Sequence, residues 1–188
     1  MFYEPYDVES WTRRCFKGRG TRNRFCNRNR RKLKITFLVI GKTKDEALIA
    51  LEEEYLKRLQ AFCKIDYKVI PNITKSSKLS IEELKREEKE AILSVIESND
   101  FLLSLDEKGD SFSSKDFSNW VKKHLSTSRN NLVILVGGAY GFHEEIKKRS
   151  NFSLSLSKMT FSHQMVRTLF LEQFYRAFSI LNNKPYHH

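Results

Sequence analysis

The residues best suited to chemistry lie in the last third of the chain. His163, His187 and His188, with Arg167 and Arg176, stand in or beyond an otherwise apolar stretch. Imidazole takes up and releases protons near neutral pH and also ligates metals, so each histidine is a candidate base or ligand. No HExxH or comparable spacing accompanies them, so the usual zinc patterns are missing. An arginine on an apolar helix needs a partner, because an unpaired buried charge is costly. Glu172 is a candidate partner within the chain; for Arg167 the other reading is contact with an RNA phosphate or base edge. GGAYG, Gly137–Gly141, places glycines directly after an apolar run. Glycine lets a ligand approach the backbone closely, although an ordinary turn would look the same. The segment is neither a GxxxxGK loop nor a GxGxxG fingerprint, which weakens a triphosphate or dinucleotide reading.

These residues must be positioned by the elements around them. SLSLSKMTFSHQMVRTLFLEQFYR, Ser153–Arg176, reads as the end of a strand over Phe152–Leu156, a polar corner at Ser157–Thr160, and a long helix from near Ser162. A strand that turns into a helix N-terminus leaves backbone N–H and C=O groups free for a ligand. The helix has apolar residues all round, from Met165 and Val166 to Leu181, and so is expected to be buried on several sides.

Upstream, LKITFLVI from Leu33 to Ile40 reads as a buried strand ending at Gly41. Asp45 precedes a helix with Leu48, Leu51, Tyr55, Leu59 and Phe62 on one face. IDYKVI is a second strand, stopped by Pro71. Ser80 and Glu83 form a capping-box pattern for a helix from Ile81 to about Ser98. FLLSL, Phe101–Leu105, is a third strand, with a loop at Asp106–Phe112. Ser113 or Ser114 caps a helix through Leu125. LVILV, Leu132–Val136, is a fourth strand, and a short helix follows near His143–Arg149. Strands that alternate with helices and are apolar throughout predict an α/β fold, a mainly parallel sheet with helices on both faces. Ligands bind such sheets beyond the carboxyl ends of the strands. Three ends stand out: Leu105-Asp106, Gly137-Gly138 and Leu156-Ser157.

With 188 residues the chain is long enough for one domain with a real core. The net charge of +11 is uneven: residues 1–32 carry +7, and residues 33–188 only +4. A mildly basic body permits RNA binding without demanding it. Residues 1–32 have no apolar period and read either as a non-native or spurious leader or as a basic arm that grips RNA. Cys15, Cys26 and Cys63 have no CxxC spacing and fit a reducing cytosol. No metal site, signal peptide or membrane-spanning window is expected.

In order, LKITFLVIGK, LDEKG, GGAYGF, SLSKMTFSHQMVR, LEQFYRAFSIL and the terminal PYHH resemble the SPOUT-class ribosomal RNA large-subunit methyltransferase H family over Leu33–His188. The resemblance implies a C-terminal deep trefoil knot, a homodimer packed through the knot region, and a cytoplasmic enzyme. The implied reaction is methyl transfer from S-adenosyl-L-methionine to N3 of a pseudouridine in large-subunit rRNA on the assembled ribosome. Implied cofactor contacts are Leu105, Gly137, Leu156, Ser157, Lys158, Met159, Thr160 and Phe161. Implied substrate-side residues are Arg167, Tyr186 and His187, with His163 as a further candidate. Ser162 stands where the family commonly has proline, and still caps a helix well. The leader has no counterpart in the family.

The transfer needs close alignment of acceptor and methyl carbon, and the acceptor N–H must lose its proton. His187, or a water it holds, is the candidate base. Arg167 is the candidate stabiliser of negative charge developing on the base. A non-catalytic ribosome-binding or assembly factor, or a methyltransferase acting on tRNA, are the alternatives.

Overall fold

A computed structural model of the chain describes residues 35–73, 79–127 and 130–186. These lie within one compact unit, Lys32–His188. The strands are β1 (Ile35–Ile40), β2 (Ile65–Ile70), β3 (Phe101–Ser111), β4 (Leu132–Val136) and β5 (Phe152–Ser155). The helices are α1 (Glu46–Leu59), α2 (Ile81–Leu93), α3 (Ser114–Thr127), α4 (Glu144–Arg149) and α5 (His163–Leu181). The strands form one sheet in the order β2-β1-β4-β3-β5. Every pairing is parallel, with Phe37, for example, opposite both Tyr67 and Ile134.

The continuous apolar runs follow from this arrangement, because each strand sends alternate side chains to opposite faces and both faces are covered. Ile35, Phe37 and Val39 join Leu103, Ile134 and Leu154 under α1, α3 and α5. Leu38 and Ile40 join Leu102, Val133 and Leu135 under Ile92 of α2 and Ile146 of α4. The first face is the aromatic one. Phe170, Phe174 and Phe178 repeat every fourth residue down α5, with ring centroids 5.5 and 5.1 Å apart. Phe37 stacks on Phe170 at 5.7 Å and Phe62 on Phe178 at 5.4 Å. Each such ring contributes about 1.5–3 kcal/mol by burial.

The caps behave as their sequences suggest. Asp45 accepts from Leu48 N, Ser80 and Glu83 complete their capping box, and Ser162 accepts from Met165 N. Ser113 rather than Ser114 caps α3, receiving the Asp116 N–H at 3.1 Å.

The structure departs from expectation in two places. Helix α2 stops at Leu93 instead of near Ser98. Its exit turn is held by Arg149, whose Nη2 donates to the carbonyls of Glu97, Ser98 and Asp100. The second departure is at Asp106–Ser111, expected as loop, which continues β3. Leu105 and Asp110 both lie opposite Leu154, so the intervening residues bend around β5. Gly109 makes this fit: a Cβ there would sit 2.6 Å from the backbone C and O of Ser153. Helix α5 is buried or partly buried along its whole length, as expected, and Met165, 39% exposed, is its one exposed residue.

Candidate active site

The carboxyl ends of β4, β3 and β5 are adjacent in the sheet, and a cavity of about 630 Å³ opens beyond them. The glycine run after β4, the bent end of β3 and the corner after β5 all line it. Apolar floor residues are Leu105, Val136, Leu154 and Leu156, and Val166 of α5 adds one wall. Strand ends and a helix start meet here because parallel strands finish at one edge of the sheet, where their backbone groups lose their ladder partners.

Each segment is fixed locally. Phe142, 5% exposed, packs against Gly137 so closely that a Cβ there would lie 2.8 Å from its ring. Gly141 has φ +73°, a conformation that a side chain disfavours, and turns the loop back toward α4. In the corner, Ser155 Oγ donates to the Ser157 carbonyl at 2.9 Å, and Ser157 Oγ accepts from Met159 N at 2.9 Å. Thr160 Oγ1 donates to Glu107 at 3.3 Å, tying the corner to the bent end of β3.

Of the residues singled out from sequence, Leu105, Gly137, Leu156, Ser157, Met159, Thr160, Phe161 and His163 line the cavity. Lys158 lies in the same corner but not in the lining. Met159 and Phe161 stand at the mouth, 73% and 38% exposed. The His163 imidazole is held below its ordinary pKa, first by burial and then by the Arg167 charge, so it is neutral at pH 7.

Arg167 is elsewhere. It is fully buried, outside the cavity lining, one helical turn below His163. Its Nη1 donates to the Gly41 carbonyl and to Thr43 Oγ1, both at 2.9 Å, and its Nη2 to the Ile40 carbonyl at 2.6 Å. Thr43 Oγ1 in turn donates to buried Glu52 at 2.7 Å, and Tyr67 donates to the other carboxylate oxygen at 2.7 Å. The guanidinium therefore satisfies the open end of β1, with Glu52 as the nearby counter-charge. Glu172 serves as the internal partner of Arg176, at 2.6 Å, and of the two readings open for Arg167 the structure shows the internal one, with both Nη groups engaged inside the fold.

Tyr186 also lies outside the cavity lining. Its hydroxyl donates to Glu172 at 3.2 Å and lies 3.3 Å from the Tyr55 hydroxyl, while Arg176 stands over its ring. Burial, Tyr55 and Glu172 hold the phenol well above its ordinary pKa. His187 lies outside the described residues. Among the described residues, no group of three or more His, Cys, Asp or Glu side chains gathers as a metal site would.

Sequence reasoning overlooked two contributors from α2. Lys85 lines the cavity, and Glu88 lies against Gly138, where a Cβ would meet its Oε1 at 2.6 Å. In a Lys- and Glu-rich helix they read as a solvated face, and no spacing signals otherwise.

The residues present suit an adenosyl-amino-acid ligand. The cavity has the size of a small-molecule site, and its apolar strand ends offer an adenine-sized surface. Gly137 and Gly138 also line it, and their missing side chains make room for the Phe142 ring and the Glu88 carboxylate.

A family profile described as "Predicted SPOUT methyltransferase" matches residues 33–187. The chain is 47% identical over 154 residues to the ribosomal RNA large subunit methyltransferase H of Christiangramia forsetii, covering 82% of this chain and 98% of that protein. It is 46% identical over 156 residues to the protein of the same name from Parabacteroides distasonis, covering 83% and 99%. Among solved structures, a probable methyltransferase from Bordetella pertussis Tohama I is similar with a TM-score of 0.49 at 8% identity, covering 77% of this chain and 94% of that one.

Proposed function

Because the chain belongs to the ribosomal RNA large subunit methyltransferase H family of SPOUT methyltransferases, we propose that it methylates large-subunit rRNA with S-adenosyl-L-methionine as donor. The observation that carries this reading is the cavity at the ends of β3, β4 and β5, in a chain that matches these relatives along nearly their whole length. The acceptor in this reading is N3 of a pseudouridine, methylated on the assembled ribosome.

S-adenosylmethionine supplies an electrophilic methyl group on a sulfonium. The chain's own residues do the remaining work. Leu105, Gly137 and the corner Leu156–Phe161 would hold the donor, Leu105, Leu156 and Phe161 offering apolar surface to its adenine and the corner offering backbone groups to its polar parts. Lys158 belongs to this corner by position. Alignment of donor and acceptor supplies much of the lowering of the barrier.

His187 accepts the acceptor's proton, directly or through water, and neutral His163 offers a hydrogen-bond acceptor inside the cavity. Arg167 stabilises developing negative charge through its field, which already reaches His163, while its hydrogen bonds fix the start of α5. Tyr186, next to His187 in the sequence, is held by its hydrogen bond to Glu172 and has a substrate-side role in this reading.

Membership of the SPOUT family supports a trefoil knot in the C-terminal part of the chain. Met159, Phe161, Met165 and Tyr140 are large apolar residues left exposed around the cavity mouth and the start of α5, which supports a homodimer packed there. No described helix is long and apolar enough to cross a membrane.

Calorimetry with S-adenosylhomocysteine tests the donor site, and mass analysis of large-subunit rRNA from cells lacking the gene tests the acceptor. Absence of binding by the folded protein sinks the donor assignment. An unmethylated pseudouridine appearing only in the deletion strain supports the acceptor, and an unchanged rRNA excludes it.

A further inference from the structure

Besides Asp106, Glu107 and Lys108 at the bent end of β3 and Lys147 of α4, the cavity receives charged side chains from α2. Lys85 and Glu88 stand three residues apart on α2 and therefore on one face of that helix. Lys85 lines the cavity beside the glycine run. Glu88 lies against Gly138, which also lines it, and is half-buried. Among the described residues Glu88 has no ion pair and no hydrogen bond. Burial without a partner raises its pKa above the usual carboxylate range. Lys85 has one ion partner, Glu82 at 3.6 Å, whose side chain is 76% exposed. Such an exposed pair is worth little and is easily exchanged. A cation facing the cavity and a partly desolvated anion beside it thus form a matched pair with little to satisfy them internally.

From this placement we infer that Lys85 and Glu88 recognise the zwitterionic amino-acid end of the donor, Glu88 taking the α-ammonium and Lys85 the α-carboxylate. This rests on the cavity being the donor site. An α-amino acid carries its two charged groups on one carbon, as an i, i+3 pair of opposite sign can match. Charge-assisted hydrogen bonds of this kind are the strong ones, and they strengthen where water is thinned. Gly138 takes part by having no side chain: any Cβ would push the carboxylate away from the loop.

The test is calorimetry on the full chain with two ligands, S-adenosylhomocysteine and 5′-methylthioadenosine. The second keeps the adenosine and the sulfur but lacks the amino acid. For Glu88→Gln and Lys85→Met, S-adenosylhomocysteine should bind about tenfold more weakly or worse, while 5′-methylthioadenosine should bind each variant as it binds the native chain. Unchanged S-adenosylhomocysteine affinity in both variants overturns the inference, as does equal weakening of both ligands in variants whose circular dichroism is native. Native donor affinity with a raised KM for ribosomes would reassign the pair to the RNA side and also overturn it. If the native chain binds neither ligand, the donor-site reading itself falls and takes this inference with it.

Discussion

Arg167 and Ile40, 127 positions apart, are joined by a 2.6 Å hydrogen bond from Nη2 to the last carbonyl of β1. The bond fixes the start of α5, and with it His163 and Val166 of the cavity wall, to the centre of the sheet. Lys44 N strengthens the same junction by donating to Gln164 at 2.8 Å.

Arg167→Met should therefore act on stability as well as on catalysis. It removes three charge-assisted bonds and leaves the Ile40 and Gly41 carbonyls without this partner and Glu52 without its nearby cation. The expected loss is about 2–4 kcal/mol in urea unfolding. A loss under about 1 kcal/mol would mean that the guanidinium is not the anchor.

Gly137→Ala should damage the site with a smaller effect on the fold. The new methyl meets the Phe142 ring at 2.8 Å, so that ring or the loop must shift. We expect about 1–3 kcal/mol of destabilisation. Donor affinity should fall by about tenfold or more, measured by calorimetry on protein that is still folded. Native donor affinity would show that the loop does not hold the ligand through its backbone.

Tyr186→Phe should separate donor binding from transfer. It deletes the hydroxyl that reaches Glu172 and Tyr55 but keeps the ring under Arg176. Stability should drop by about 1 kcal/mol. Single-turnover methylation of ribosomes should slow while S-adenosylhomocysteine affinity stays native. Equal loss in both would place Tyr186 in the donor site.

Acidification should destabilise the protein through its half-buried histidines. His124 stacks on Trp120 at 5.1 Å and meets the Phe101 ring edge at 4.2 Å, and its Nε2 is buried without a partner. Burial holds its pKa below the ordinary value, and that of His163 is lowered too. The unfolded chain then binds more protons than the native one as pH falls below about 6.5, so stability declines until the lowered native pKa is passed. His124→Phe should reduce that decline between about pH 7.5 and about pH 5.5, read from urea midpoints. An identical pH slope in the variant would refute the assignment.

Deleting residues 1–32 should leave methylation of ribosomes unchanged, since the family match begins at residue 33. Weaker binding with a reduced salt dependence would instead identify the segment as an RNA-gripping arm.

Most of the element order was legible in the chain, because it rests on local physics. A run such as Leu132–Val136 is too apolar and β-branched to be anything but a doubly covered strand. Ser80 and Glu83 satisfy each other's backbone across three residues, so their pattern is self-contained. The glycine run and the SLSKMTF corner were legible for the same reason: each is a break between two strongly patterned elements.

What only the tertiary structure decided are the relations across the sheet. Asp106–Ser111 is polar and contains glycine, and reads as loop; it becomes strand because its backbone finds β5, which lies more than forty residues later. Arg167 could not be assigned to core or surface from α5 alone, since its partners are backbone carbonyls at the end of β1, which have no side-chain signature. Glu88 and Lys85 look like solvated helix surface until α2 is laid beside the glycine loop. Local sequence determines which groups are polar and where the chain turns, whereas the stacking of strand ends determines which of those groups share a low-dielectric cavity.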